Sequence, residues 1–311
     1  MATRRSFIAK STQGLFALCL PKTVLDFSMN IENPKLSLAQ WSLHRALQKG
    51  ELKAHDFPKV SLEDFGIPAV EYVNQFYMNK ARDTAYWKSL AAGTRDMGVT
   101  NVLIMVDSEG DLGDPKNNKR MAAVDNHMKW VEAARILGCH SIRVNAFGKG
   151  KPEQLKAALV DGLGELAARA WEQGIYVLIE NHGLHTSDAR FMVDIITEVD
   201  HPGLGTLPDF GNWCLNKEWG STMGAACTEN YGPVSGLKDF LPFAQGVSAK
   251  TYAFDAEGNE TILPYKELLS LVKASGFDGH IGIEYEGSEL SEAAGIRATR
   301  DLVTRVWADL D

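Results

Sequence analysis

Four times along this chain a helical pattern stops at a glycine and a strand-like run follows within a few residues. Gly98 precedes Asn101-Val102-Leu103-Ile104-Met105-Val106, Gly138 precedes Ser141-Ile142-Arg143-Val144-Asn145, Gly174 precedes Ile175 to Glu180, and Gly276 precedes His280-Ile281-Gly282-Ile283-Glu284. Glycine takes the left-handed conformation that ends a helix and turns the chain tightly into the next strand. One αβ unit is therefore being repeated. Completing the pattern predicts strands near 36–41, 68–73, 101–106, 141–145, 175–180, 204–208, 246–251 and 280–284. Helices of period 3.6 follow most of them, as in Met121 to Leu137, Pro152 to Glu172 and Leu290 to Trp307. Eight strands alternating with helices in one α/β domain have the rhythm of a single (β/α)8 TIM barrel. A doubly wound open sheet is the alternative, but no G-x-G-x-x-G follows any strand, so its dinucleotide-binding form has no support.

The βα connections are longer than the αβ turns. Asp107 to Lys119 and Phe210 to Lys238 would rise from the catalytic face, the second as a lid or binding loop whose Trp213, Trp219 and Tyr231 wall a pocket or pack the rim. A net charge of −8 and a pI near 5.5 argue against a nucleic-acid partner, which needs a basic stripe to release counterions. A small polar substrate fits better.

The N-terminus reads separately. Thr3-Arg4-Arg5-Ser6-Phe7-Ile8-Ala9-Lys10 resembles the twin-arginine export signal, and the apolar run Leu15 to Leu20 is too short to span a bilayer. Residues 1–30 are read as an export signal and 31–311 as the barrel, which places the protein in the periplasm without stable membrane insertion. The segment carries four basic residues and one acid, so its removal leaves a net charge of −11. Cys139, Cys214 and Cys227 then remain with no C-x-x-C spacing. Free, half-buried thiols are expected, with a Cys214–Cys227 pair open to the chain in an oxidising compartment.

Chemistry is concentrated at the strand ends. In Gly174-Ile175-Tyr176-Val177-Leu178-Ile179-Glu180-Asn181-His182-Gly183 a run suited to burial on both faces delivers Glu180 and His182 at its tip. The sixth strand delivers Asp209, the seventh Ser248 and Lys250, and the eighth Glu284 and Glu286. Side chains alternate along a strand, so each i, i+2 pair can face the barrel axis together. Carboxylates converging from different strands raise one another's pKa unless a cation lies between them, and such oxygens with imidazole suit Mn²⁺, Mg²⁺, Co²⁺ or Zn²⁺. His182 and His185 are each open to a role as ligand, base or partner of a carboxylate. Gln40, Trp41 and His44 at the first strand end, Glu71 at the second, and Arg143 with Asn145 at the fourth are placed to bond the polar groups of a substrate.

Leu178-Ile179-Glu180-Asn181-His182-Gly183, Pro208-Asp209-Phe210-Gly211-Asn212, Gly246-Val247-Ser248-Ala249-Lys250 and Ile281-Gly282-Ile283-Glu284-Tyr285-Glu286-Gly287 form a set. With it, the chain from Leu36 onward resembles the sugar phosphate isomerases/epimerases of the xylose-isomerase-like TIM barrel superfamily. The resemblance implies that Glu180, Asp209 and Glu284 are metal ligands. It also implies that Glu180 and Glu284 move a proton on and off a carbon next to a carbonyl, through an enediolate. Ser248 joins the metal set by position, where the family commonly has a histidine ligand, and Asn212 stands where ketose 3-epimerases tend to have a substrate-contacting histidine. Lys250 and His182 complete the expected catalytic groups, and Asn212, Trp213 and Glu286 the expected substrate contacts.

The function expected is thus a metal-dependent isomerase or epimerase of an unphosphorylated carbohydrate. A lyase or hydrolase acting on a 3-keto glycoside is the alternative within the scaffold, and a catalytically inactive carbohydrate-binding barrel the alternative outside enzymology. Homo-oligomerisation is left open.

Overall fold

The computed structural model describes residues 33–223 and 226–310. The segment read as an export signal lies outside the described residues. Eight strands appear at the expected places: β1 Lys35–Ala39, β2 Ala69–Val73, β3 Thr100–Val106, β4 Ser141–Val144, β5 Tyr176–Glu180, β6 Leu204–Leu207, β7 Gly246–Thr251 and β8 His280–Tyr285. Principal helices follow them as α1 Phe57–Phe65, α2 Thr84–Met97, α3 Asn117–Leu137, α4 Pro152–Trp171, α5 Ala189–Val199, α6 Pro233–Phe240, α7 Tyr265–Ala274 and α8 Glu292–Ala308. Gly98, Gly138, Gly174 and Gly276 have φ of 72°, 80°, 73° and 71°, the left-handed conformation that the repeated turn requires.

All pairings between named strands are parallel, in the order β6-β5-β4-β3-β2-β1-β8-β7. The remaining seam, between β6 and β7, is closed by isolated bridges. Gln245 N–H donates to the Thr206 carbonyl at 3.1 Å, Ser248 N–H to Pro208 at 2.9 Å and Phe210 N–H to Ser248 at 3.0 Å. Pro208 has no N–H to give across this seam, which is why the ladder is broken there. The result is a nearly closed α/β TIM barrel.

Alternation along β5 shows how the barrel sorts its side chains. Val177 and Ile179 join the large apolar cluster between strands and helices, whereas Leu178 joins a smaller cluster inside the barrel with Ala39, Val73, Leu103, Met105 and Leu207. Glu180 shares the inward face of Leu178, so the helix-facing core fixes where this carboxylate points. Each aliphatic side chain buried in this way contributes roughly 1.5–3 kcal/mol.

Two local expectations are corrected. β1 ends at Ala39 rather than residue 41, because the Ser42 hydroxyl donates to the Ile283 carbonyl at 3.1 Å and accepts the Tyr285 N–H at 3.0 Å, substituting for further ladder bonds to β8. Cys214 and Cys227 are paired in a disulfide rather than free, and among the described residues Cys139 is the buried free thiol. The long loop after β6 doubles back through an antiparallel bridge between Cys214 and Asn230, which brings the two Cα atoms to 5.7 Å. A sequence separation of 13 cannot reveal that approach. Among the described residues no helix is long and apolar enough to cross a membrane.

Candidate active site

The polar strand ends meet at the C-terminal mouth of the barrel, around a pocket of ≈ 280 Å³. Glu180 from β5, Asp209 just after β6 and Glu284 from β8 are all buried, and an oxygen from each lies within 4.8 Å of the others. Asn181 positions Asp209 through its backbone: its amide donates to the Asp209 carbonyl at 3.0 Å and its oxygen accepts the Asp209 N–H at 2.7 Å. The Gly211 N–H then donates to Asp209 Oδ1 at 2.7 Å.

Proton counting constrains the charge of this group. Ser248 Oγ lies 2.6 Å from Asp209 Oδ2 and 2.7 Å from Glu284 Oε2. A hydroxyl carries one proton and can donate to only one of two carboxylates. The second short contact therefore needs an acid proton or a cation in its place. Burial, partly opposed by Lys250 and reinforced by Glu284, pushes Asp209 up to about 8, and burial, opposed by Arg143, pushes Glu180 up to about 7. Three carboxyls spaced like this match the oxygen shell of a divalent ion, whose ligands at ~2.0–2.6 Å lie about 4–5 Å apart across the ion. The donor set fits a hard divalent cation.

Two fixed cations share the mouth. Arg143 on β4 puts Nη1 2.6 Å from Asp107 Oδ1 and Nε 2.7 Å from Glu180 Oε2. The second is a contact of charge without hydrogen-bond alignment, since neither atom has an aligned partner. Lys250 lies 2.9 Å from Glu286, 3.2 Å from Glu284 and 3.8 Å from Asp209. Although burial opposes its charge, those three carboxylates hold it well above the ordinary lysine range. Against these two stand Asp107, Glu180, Asp209, Glu284 and Glu286. The excess of carboxyls is what a divalent ion would offset.

His182 lines the pocket but stands outside the three-carboxyl set. Its Nδ1 is 2.7 Å from Asn145 Oδ1, while Asn145 Nδ2 donates to Asp107 Oδ1 at 2.7 Å. The Asn145 oxygen must therefore accept, so Nδ1 carries the proton and Nε2 is an acceptor. Burial, with Arg143 nearby, depresses His182 to about 3, so the ring is neutral.

Of the groups placed on the sugar by sequence, Trp41, Arg143 and Glu286 line the pocket, and Trp41 Nε1 donates to Glu286 Oε1 at 3.0 Å. Asn145 lies behind His182. His44 does not reach the pocket; it stacks on Trp41 at 4.7 Å with Nδ1 on the Trp41 carbonyl. Trp213 is fully buried against Phe240 and Tyr231, because the chain after β6 dives under α6 before it rises again, and Asn212 beside it is 1% exposed. Trp219 is the loop aromatic that lines the pocket. Asp107 and Gln75 line it too and were not anticipated, although Asp107 ends the buried run of β3 just as Glu180 ends that of β5.

Glu71 is also not a wall of the pocket. It is buried inside the barrel, accepts a 2.5 Å hydrogen bond from Ser37 Oγ, and presses on Gly282, where a Cβ would come within 2.8 Å of both its oxygens. Burial pushes it from 4.5 up to about 8. Between these values the unfolded chain has released the proton that the folded one keeps, so stability falls as pH rises from about 4.5 to 8 and is level beyond both. Glu71→Gln should remove a penalty of roughly 3–5 kcal/mol at high pH. Thermal melts of EDTA-treated protein across that range would show it; an unchanged slope in the variant counts against this account.

The sequence pattern of the xylose isomerase-like TIM barrel family matches residues 61–305. The chain belongs to this family. No curated protein matches it significantly in sequence. Solved structures of similar fold include D-psicose 3-epimerase from Clostridium cellulolyticum H10, determined with D-tagatose, at 13% identity and TM-score 0.66 over 88% of this chain and 99% of that one. The IOLI protein with a bound zinc atom is similar at 14% identity and TM-score 0.65, over 89% and 99% of the two chains. The 3-keto-D-glucoside 4-epimerase from E. coli is similar at 16% identity and TM-score 0.60, over 86% and 98%. At these identities the likeness shows the fold alone.

Proposed function

We propose that this chain is a divalent-metal-dependent sugar isomerase or epimerase that moves a proton next to a carbonyl. The observation that carries the reading is the meeting of Glu180, Asp209 and Glu284 from three strands at one pocket, with oxygens within 4.8 Å. When bound there by these carboxylates, with Ser248 beside them, a divalent ion would polarise the substrate carbonyl and offset charge developing on its oxygen. The remaining work belongs to side chains. Glu180, held near neutrality by burial and not hydrogen-bonded at Oε2, is poised to accept the proton of a C–H bond whose electron pair becomes the C=C of an enediolate. Glu284, 3.2 Å from Lys250, is the second acid/base, returning a proton to carbon while Lys250 keeps the mouth's charge in balance. Trp41 and Trp219 offer apolar faces, and Asp107, Glu286 and neutral His182 offer acceptors for sugar hydroxyls.

The similarity to epimerases of a ketose and of a 3-keto-glucoside supports the substrate class. Proton NMR of ketoses, aldoses and 3-keto-glycosides in D₂O with enzyme and Mn²⁺ tests it. Deuterium is expected at the carbon next to the carbonyl of a recovered sugar. An unsaturated product would assign the chain to the lyases, and absence of exchange in every substrate would reject proton transfer altogether.

A further inference from the structure

A second cavity of ≈ 160 Å³ lies beside the main pocket, between the ends of β3 and β4. Trp219 lines both. Its indole meets the His182 ring edge-on at 5.0 Å on the main-pocket side and the Phe147 ring at 5.8 Å on the other. The floor is also shared, because Asp107 of the main pocket accepts from Asn145 of the side chamber at 2.7 Å. The two spaces are thus adjoining compartments with one aromatic partition.

The side chamber has the chemistry of a hydroxyl-rich, uncharged ligand. Phe147 and Trp219 supply aromatic surface, which covers the C–H faces of a ring, and Asp111 and Glu218 supply carboxylate acceptors, while Glu109, which also lines it, is held by Lys129 at 2.8 Å and Trp130 at 2.6 Å. His127, 2% exposed, also lines it; its Nδ1 is 2.7 Å from the Ala123 carbonyl and so carries the proton, which leaves Nε2 as an acceptor. Among the described residues no lysine or arginine lines the chamber, so a phosphate would find no counter-charge there. Volume points the same way. The main pocket alone, at ≈ 280 Å³, is just under the ~300–1,000 Å³ typical of drug-sized ligands, and the two compartments together fall inside that range.

We infer that the side chamber is a subsite for a second, uncharged unit, so that the substrate is a glycoside spanning the Trp219 partition rather than a single sugar. This rests on the reading of the main pocket as a sugar site. The second unit lies away from the three carboxyls and adds binding energy without taking part in proton transfer.

Phe147 lines the side chamber and not the main pocket, so Phe147→Ala separates the two. Calorimetric titration of the full chain with Mn²⁺ would compare sucrose, trehalose, maltose and cellobiose with glucose and fructose. At least one disaccharide is expected to bind ten-fold or more tightly than its free components. Phe147→Ala should abolish that advantage while monosaccharide affinity stays within two-fold. Equal affinities for disaccharides and monosaccharides, no disaccharide binding, or equal weakening of both classes by Phe147→Ala would overturn the subsite. Because binding needs no turnover, a preference for disaccharides without deuterium exchange would leave the subsite standing and reject the proton-transfer reading instead.

Discussion

Glu180→Gln should lower kcat/KM by more than the ~10²–10⁴-fold that loss of acid/base catalysis alone removes. The amide keeps the volume of the side chain but cannot accept a proton from carbon, and it is a poorer ligand than the carboxylate that stands with Asp209 and Glu284. One substitution thus removes two functions. Glu180 reports on both because its buried Oε2 has no aligned hydrogen-bond donor and meets only the charge of Arg143 at 2.7 Å, which leaves its lone pairs available for a proton. The measurement is steady-state turnover of whichever sugar exchanges deuterium, together with metal content. Activity within ten-fold of the parent, at full metal loading, would take Glu180 out of the mechanism. The thermal midpoint is a control, since a Gln side chain still fills the site beside Arg143.

Arg143→Met should destabilise the protein by roughly 3–5 kcal/mol, the usual cost of removing one partner of a buried ion pair. Arg143 is 3% exposed and stands 2.6 Å from Asp107 and 2.7 Å from Glu180, so its loss strands two buried carboxylates. Their joint field keeps the guanidinium charged even though burial opposes it, raising its already high pKa further. The same guanidinium holds Asp107, against the effect of burial, down to about 2. A fall in Tm of about 10 °C is expected for a domain of this size. Adding Glu180→Gln in the same chain should recover part of it, because one stranded charge is then gone. A Tm within 2 °C of the parent would mean that Arg143 is not the counter-ion on which these carboxylates depend.

Much of this architecture is legible in the amino-acid sequence. The glycine that ends each of four helices, followed by a run of β-branched residues, sets the αβ repeat, and the repeat with its length leaves few folds other than a (β/α)8 barrel. Polar residues directly after buried runs marked Glu180, Asp209, Lys250 and Glu284, because a strand's alternation carries its last inward side chain to the mouth. Asp107 obeys the same rule, but as the first residue of a long loop it has no strand period of its own to fix its direction.

What tertiary structure alone decided is how residues from different units stand to one another. Trp213 and Trp219 belong to one loop and are six residues apart, yet the first is sealed under α6 and the second divides two compartments. Local sequence does not encode that difference, since it depends on where the loop crosses the rim. The Cys214–Cys227 bond has the same origin, a doubling-back that 13 residues of separation neither require nor forbid. Glu71 looks like a mouth residue from its place near a strand end, but the missing side chain at Gly282, in another strand, lets its carboxyl lie inside the barrel. The sequence by itself determined the strands, their inward faces and the carboxylates they deliver, because those follow from periods of two and 3.6 along a single segment. Distances, protonation and partition of the pocket were decided by packing between segments, where burial and neighbouring charge outweigh anything local.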